Sequence, residues 1–384
     1  MAGASAVTPL RIAMMVSGAG INGAIVHALL LTRYLSRRGH QVLLLHRPGA
    51  WIAQQSGLDK AELFATSFGR SPGELIRVTR RLNAFAPDVI HSHMSSAHTY
   101  GMLARWFSRR VVVATAHSQS IQLHWCFNNI VIAPSRAAAE HHHRYNLVRR
   151  KTLRTQSNFI DAKSFPMSSD DERRRARNEF GFADSTFVIG SVGSIEPRKN
   201  QLHLVQALAE IARSVADAKL LLVGWSDAAY LNEIKREADR LGVTDQIVFT
   251  GPRQDVPHVL SAMDVFALVS RKETGPLAVL EAMARGLPAL VTNIGELPEF
   301  VGDGAAGVVV RVGDVDAIAR QLVAMARDPQ RRSAMGQAAA AIVRDKYDIA
   351  RAGPNVEAIL TEASHIKNRP PLGFVTGLFG EGEY

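Results

Sequence analysis

The stretch RKETGPLAVLEAMARGLPALVTNIGELPE, Arg271 to Glu299, places Glu273 and Glu281 on either side of seven residues at the entrance to a predicted helix. The apolar run Val265 to Val269 predicts a strand before it, Gly275 and Pro276 bend the chain, and Leu277 to Arg285 carries a helical pattern. A helix start leaves backbone N–H groups without partners, so this one is an anion site with carboxylates beside it. Pro276 suits the first helical position because it has no N–H to leave unpaired. A phosphate on those amides, with carboxylates ready to accept sugar hydroxyls, implies a nucleotide-sugar ligand.

Working outward, short apolar runs alternate with helical patterns, the sequence form of βαβ units and parallel sheets. In the first half the predicted strands are Arg11 to Val16, Gln41 to His46, Asp88 to His91, Arg110 to Ala116 and Ile130 to Ala133. Helices are predicted over Gly23 to Arg38, Pro72 to Phe85, Ala97 to Ser108, and from an N-cap at Ser135 to about Tyr145. Asn158 to Asp161 and the polar SSDDERRR that follows read as a linker, and the segment Arg47 to Arg70 carries no readable pattern. A second series runs through strands Phe187 to Val192, Lys219 to Val223, Gln246 to Thr250 and Gly307 to Val310. Its helices are Gln201 to Arg213, Ala228 to Leu241, Val315 to Arg327 and Arg331 to Lys346. A last helix is expected over Arg351 to Ala363, then a loose tail from Lys367. The expected fold class is α/β, two doubly wound Rossmann-like domains, whose ligands bind at the carboxyl ends of strands. The boundaries are residues 1–162, 163–346, and a crossover helix with tail over 347–384.

A chain of 384 residues exceeds what one core usually organises. With 47% hydrophobic and 21% charged residues, its composition is that of a globular protein. The single cysteine, Cys126, cannot form an intramolecular disulfide, which fits a reducing compartment. The first ten residues lack a basic and apolar leader pattern, and no run approaches the ~18 uncharged apolar residues of a membrane span. A cytoplasmic location is expected. The net charge of +10 is uneven: residues 1–162 hold 19 Lys and Arg against 6 Asp and Glu. Such a field favours an anionic surface, and an acidic bilayer attracts each basic residue by about 1 kcal/mol. The basic residues lack interleaved aromatics, so an anionic membrane surface is favoured as a partner over nucleic acid. Solvated helix faces are the plainer alternative.

The Arg271–Glu299 frame closely resembles the donor-binding signature of the retaining, family-four-type (group 1) glycosyltransferases of GT-B fold, which carry a Glu, seven residues, then Glu-Ala-Met-Ala. The resemblance implies two Rossmann-like domains facing a central cleft, with the acceptor on the N-terminal one and the nucleotide-sugar on the C-terminal one. It also implies Glu273 near the transferred sugar, the backbone from Gly275 through Pro276 to Leu277 against the sugar or diphosphate with the Gly275 and Leu277 amides toward it, and Glu281 on the ribose hydroxyls. Gly23 matches the family glycine of the first loop. His117, at a strand end, matches a histidine beside the reacting sugar, and His93 falls on the acceptor side. In GSIEPRKN, Gly193 to Asn200, Lys199 takes the place of a phosphate-neutralising lysine, whereas Ser194 stands where the family has an arginine. Arg198 or Arg253 could supply that charge. Lys199 precedes a predicted helix, where a positive charge is unfavourable without an anionic partner.

The implied activity is transfer of a hexose from a nucleotide-sugar donor to a glycan or lipid-linked acceptor, in envelope polysaccharide or lipopolysaccharide synthesis. No cofactor is expected, the nucleotide-sugar being a substrate. No metal is expected either, since Asp-x-Asp, His-Glu-x-x-His and paired cysteines are all missing from the sequence. The run His141, His142, His143 reads as exposed surface, because adjacent helical residues point in different directions. A rival reading is an NAD(P)-dependent oxidoreductase using Gly18-x-Gly20-x-x-Gly23. That fingerprint expects an acid near the end of the second strand, where the chain has Leu45, His46 and Arg47. Arg47 leaves a phosphorylated ribose open.

Overall fold

The computed structural model describes residues 8–302 and 304–367. The first seven residues of the leader reading and all but the first residue of the predicted tail lie outside them. The chain divides into two compact units, Met1–Gln156 with Ala352–Tyr384, and Ser157–Arg351.

The first unit runs β1 (Arg11–Val16), α1 (Gly23–Arg37), β2 (Gln41–His46), β3 (Ala61–Ala65), α2 (Pro72–Phe85), β4 (Val89–His93), α3 (Ser95–Phe107), β5 (Val112–Thr115), β6 (Ile130–Ala133), α4 (Arg136–Tyr145) and β7 (Leu153–Thr155). Its strands form one parallel sheet in the order β3-β2-β1-β4-β5-β6-β7. The central strands are buried along their length, as expected of a sheet covered on both faces. Strands β3 and β7 were not expected; β3 sits at one edge, half exposed, in the segment without a readable pattern.

The second unit runs α5 (Asp170–Glu179), β8 (Phe187–Val192), α6 (Gln201–Ala212), β9 (Ala218–Val223), α7 (Ala228–Leu241), β10 (Ile247–Gly251), α8 (Val256–Ser261), β11 (Val265–Leu268), α9 (Leu277–Ala284), β12 (Ala289–Thr292), α10 (Leu297–Val301), β13 (Gly307–Val310), α11 (Val315–Arg327) and α12 (Pro329–Ile342). A π-helical turn, Val343–Tyr347, leads into α13 (Ile349–Ser364). The sheet order is β10-β9-β8-β11-β12-β13, again parallel. Each sheet therefore winds outward in both directions from a central switch, between β1 and β4 in one and between β8 and β11 in the other.

Two sequence readings are corrected here. The supposed linker SSDDERRR is helix α5. Ser169 and Glu172 close a reciprocal capping box at its start. Its Arg173 and the wholly buried Arg177 then bind Asp264 at 2.8 and 3.2 Å. The His141–His143 run is not all surface: His142 is fully buried against Trp125 and bonds the Ser118 carbonyl and the Asn146 amide. From Ala352 onward α13 belongs to the first unit, where buried Glu357 accepts hydrogen bonds from Tyr34 and Arg38 and pairs with His40 at 2.8 Å.

Candidate active site

In the second unit the loop after β11 carries Glu273, which is 7% exposed. Three groups meet its Oε1: Lys199 Nζ at 2.7 Å, Arg198 Nη1 at 3.2 Å and the donating Ser270 hydroxyl at 2.7 Å. Lys199 stands just before α6, whose N-cap Asn200 is left-handed and offers no side-chain cap. Glu273 is thus the anion that answers the unfavourable placement of Lys199. The Gly193–Ser194 turn precedes them, with the Ser194 carbonyl accepting from Gln201. Gly224, after the neighbouring strand β9, must be glycine, since a Cβ there would meet the Gly193 carbonyl oxygen at 2.0 Å.

Two residues past Glu273, Gly275 has φ +71° and Asn158 donates to its carbonyl at 2.6 Å. Pro276 is the N-cap rather than the first helical residue, because its ψ of 124° is extended, so α9 begins one place later than expected. No side chain caps α9 and its first turn holds no acid, so the Leu277 end has no side-chain acceptor of its own for its first amides. Glu281 follows one helical turn beyond Leu277, half-buried, and desolvation pushes its carboxyl up to about 7. Glu296, which the sequence reading passed over, is fully buried beside the Gly275 turn; a Cβ on Gly275 would lie 2.7 Å from its Oε2. Burial raises its carboxyl to about 8. Arg253 is committed elsewhere, to Glu179 and Asp255 at 2.7 and 2.6 Å. Lys199, Glu273, Ser194 and the α9 start are brought together along the loops that follow β8 and β11; the Arg253 charge is already spent.

In the first unit, β4 ends at His93 and β5 pairs with it so that His93 faces Thr115. His117, two residues on, therefore comes beside His93, and its Nε2 lies 2.9 Å from His93 Nδ1. His27, one turn into α1, completes a triangle of imidazoles. Burial holds His117 down at about 4, and drives His93 and His27 well below the usual imidazole range with the neighbouring histidines adding to the shift. Neutral His117 can donate or accept one hydrogen bond to a hydroxyl. Gly23 opens α1, whose N-cap Asn22 accepts from the Ile25 amide at 3.1 Å. Arg47 is occupied by the carbonyls of Ser17 and Ser67 at 2.6 and 2.8 Å. A 460 Å³ hollow in this unit is lined by Phe68, Arg70, Ser95, Thr99, Tyr100 and His124, among others.

Among the described residues no helix is long and apolar enough to cross a membrane. Large apolar side chains are nevertheless exposed around the segment that links β5 to β6: Trp106 and Phe107 at the end of α3, Ile121 and Leu123 within it, Tyr145 at the end of α4 and Leu147 just after it. Asn146 joins these last two groups by bonds to the Gln122 amide and the Ser120 carbonyl.

The profile of the Glycosyltransferase Family 4 proteins matches residues 21–164, and that of the Glycosyl transferases group 1 matches residues 172–341. The N-acetyl-alpha-D-glucosaminyl L-malate synthase of Bacillus anthracis is 31% identical over 197 residues, 51% of this chain and 50% of that protein. A GDP-mannose-dependent monoacylated alpha-(1-6)-phosphatidylinositol monomannoside mannosyltransferase of Corynebacterium glutamicum is 33% identical over 210 residues, 52% of this chain and 54% of its own. The matches thus span about half the length of these curated relatives. The structure of Anabaena HepE with UDP-glucose superposes with a TM-score of 0.82 at 20% identity, covering 91% of this chain and 99% of that one. The NAD(P) reading of the Gly18–Gly23 loop finds no support in these relatives, and Arg47 is occupied where that reading needed it. With both profiles matched in order along the chain and a fold shared with HepE across nearly its whole length, the chain belongs to the group 1 glycosyltransferases of GT-B fold.

Proposed function

We propose that this chain is a retaining, metal-independent hexosyltransferase that takes its sugar from a nucleotide-sugar and passes it to a glycan or lipid-linked acceptor of the cell envelope. The observation that carries this is the Lys199–Glu273 pair beside the uncapped start of α9. Helix amides and a lysine together suit a diphosphate, and a buried carboxylate next to them suits sugar hydroxyls. In this reading Lys199, the amides of Gly275 and Leu277, and Ser194 hold the diphosphate and sugar, while Glu281 takes the ribose. Gly23 and Arg253 complete the donor-side residues of this reading, Arg253 acting only through its neighbours. His117 and His93 attend the acceptor side. Retention follows if the departing diphosphate oxygen helps take the acceptor proton on the face it leaves, so no side-chain nucleophile is required. Positioning and electrostatic stabilisation of the leaving group then supply the rate. HepE's complex with UDP-glucose supports a uridine donor, and the mannosyltransferase relative a guanosine one.

The test is a melting-temperature screen with UDP- and GDP-sugars and with NAD(P), followed by transfer assays. A nucleotide-sugar is expected to raise the melting temperature, and Glu273→Gln to abolish turnover with the fold intact. Stabilisation by NADP alone, or full activity in Glu273→Gln, overturns the proposal.

The apolar side chains from Trp106 to Leu147, set in the unit that holds the basic excess, support peripheral binding to an anionic membrane at the cytoplasmic face. Leu123→Ser with Leu147→Ser should weaken binding to anionic vesicles. Binding indifferent to salt and to anionic lipid counts against it.

A further inference from the structure

We propose that His27, His93 and His117 form a transition-metal site, three imidazole ligands around a divalent ion of the zinc type with an open fourth position. One ring nitrogen from each lies within 4.8 Å of those of the other two. The ring centroids stand 5.0 Å apart for His27 and His117, 5.2 Å for His93 and His117, and 5.7 Å for His27 and His93. Three imidazoles on one tetrahedral ion, with metal–nitrogen bonds of about 2.05 Å, hold their ring centres about 5.2 Å apart. The scaffold therefore presents the rings at coordinating centre-to-centre separation, and side-chain rotation has to bring ring nitrogens that lie up to 4.8 Å apart to the edge of about 3.3 Å that one tetrahedral ion sets.

A second observation points the same way. His93 is wholly buried, and its Nε2 has no hydrogen-bond partner among the described residues. A buried ring nitrogen left so is costly, and a metal ion is a partner for its lone pair. The group contains imidazoles alone, with no carboxylate, a donor set that selects zinc, cobalt, nickel or copper over magnesium or calcium. His91 backs the cluster, its ring 4.3 Å from that of His93 and its Nε2 held by the Thr115 hydroxyl at 2.7 Å. Such outer contacts fix ligand orientation. His117 is only half-buried, which gives an ion a way in. The site stands whether or not the chain transfers sugar. Where His117 does meet the acceptor, a bound ion competes for its lone pair.

The test uses the full chain, stripped with chelator and titrated with Co²⁺ by visible absorption and with Zn²⁺ by calorimetry, both in excess Mg²⁺. One equivalent is expected, with the intense visible bands of four-coordinate cobalt, displaced by zinc. His27→Asn and His93→Asn should each cut affinity at least about tenfold, and His117→Asn, whose side chain is only half-buried, gives a third variant where the first two fail to fold. The double change His141→Asn with His143→Asn on α4 should leave binding intact. Absence of stoichiometric binding overturns the proposal, as does binding unchanged in the folded cluster variants or lost in the α4 variant. The melting shift with nucleotide-sugar, read on the same samples, reports separately on glycosyl transfer.

Discussion

The two units wind their sheets in one order, three strands to one side of the switch and the rest to the other, yet they bury opposite chemistry at the strand ends. The last residue of β4 is His93, and the loop after the corresponding strand β11 holds Glu273. Around the first gather His27, His91 and His117; around the second, Glu296, Lys199 and Arg198. Topology thus decides where a ligand can be met, and the side chains delivered there decide which ligand. A field of neutral imidazoles suits hydroxyls or metal ions, whereas a cation, a carboxylate and an uncapped helix start suit the phosphorylated sugar of the proposed function.

The largest effect should come from removing the cation of the second unit. Lys199→Ala leaves Glu273 with Arg198 as its remaining basic neighbour and, under the proposed function, takes away a leaving-group contact, so kcat is expected to fall about a hundred- to a thousand-fold. Activity within tenfold of the parent chain would erase the functional contrast between the units. Next comes pH. In the first unit burial lowers His91 to about 3 and His117, His124 and His142 to about 4, below the value of 6.5 they would have unfolded. The unfolded chain binds more protons between those values, so this unit loses stability as pH falls from 6.5 toward 4. In the second unit Glu281 and Glu296 are raised from 4.5 to about 7 and 8. There the folded state binds more protons, and stability is lost as pH rises from 4.5 through 8. Amide hydrogen exchange followed unit by unit should show the two slopes with opposite sign; parallel slopes would remove the contrast.

A smaller effect separates the two glycine turns. Gly275→Ala strains a positive φ and drives a Cβ against Glu296 and Asn158, at a cost of about 1–3 kcal/mol. Gly20→Ala meets nothing within 4 Å and should be near neutral in chemical denaturation. The smallest change is expected from Arg253→Ala, because its charge is spent on Glu179 and Asp255: donor KM should move less than about threefold, the scale of a surface pair. A tenfold rise would return Arg253 to the phosphate site.

Much of this was legible in the residues. Apolar runs bounded by turn signals located the buried strands, since a strand covered on both faces can hardly read otherwise. Strands β3 and β7 escaped because an edge strand needs no such run: Ala61–Ala65 is mostly half or fully exposed and Leu153–Thr155 is three residues long. Helix α5 lacks an apolar stripe, its buried side chains being Ala176 and Arg177, although Ser169 and Glu172 already spelled a capping box. At the candidate site the motif located Glu273, Gly275 and Glu281. What it did not reveal was pairing across distance. That Lys199 closes on Glu273, or that His27 joins His93 and His117, depends on which strands are neighbours, and sequence spacing does not carry that information.

The Glu357 contacts set an order of assembly during synthesis. The second unit is a continuous stretch of chain, Ser157–Arg351, and all its residues are available once the ribosome has passed them. The first unit begins earlier yet finishes later: Tyr34, Arg38 and His40 wait for an acceptor that arrives more than three hundred residues after them. At about 5–20 residues per second that wait lasts on the order of tens of seconds. For that interval the earlier-made unit lacks its last contact, and a released chain truncated between Arg351 and Glu357 should expose α1 to protease while its second unit, already whole, resists.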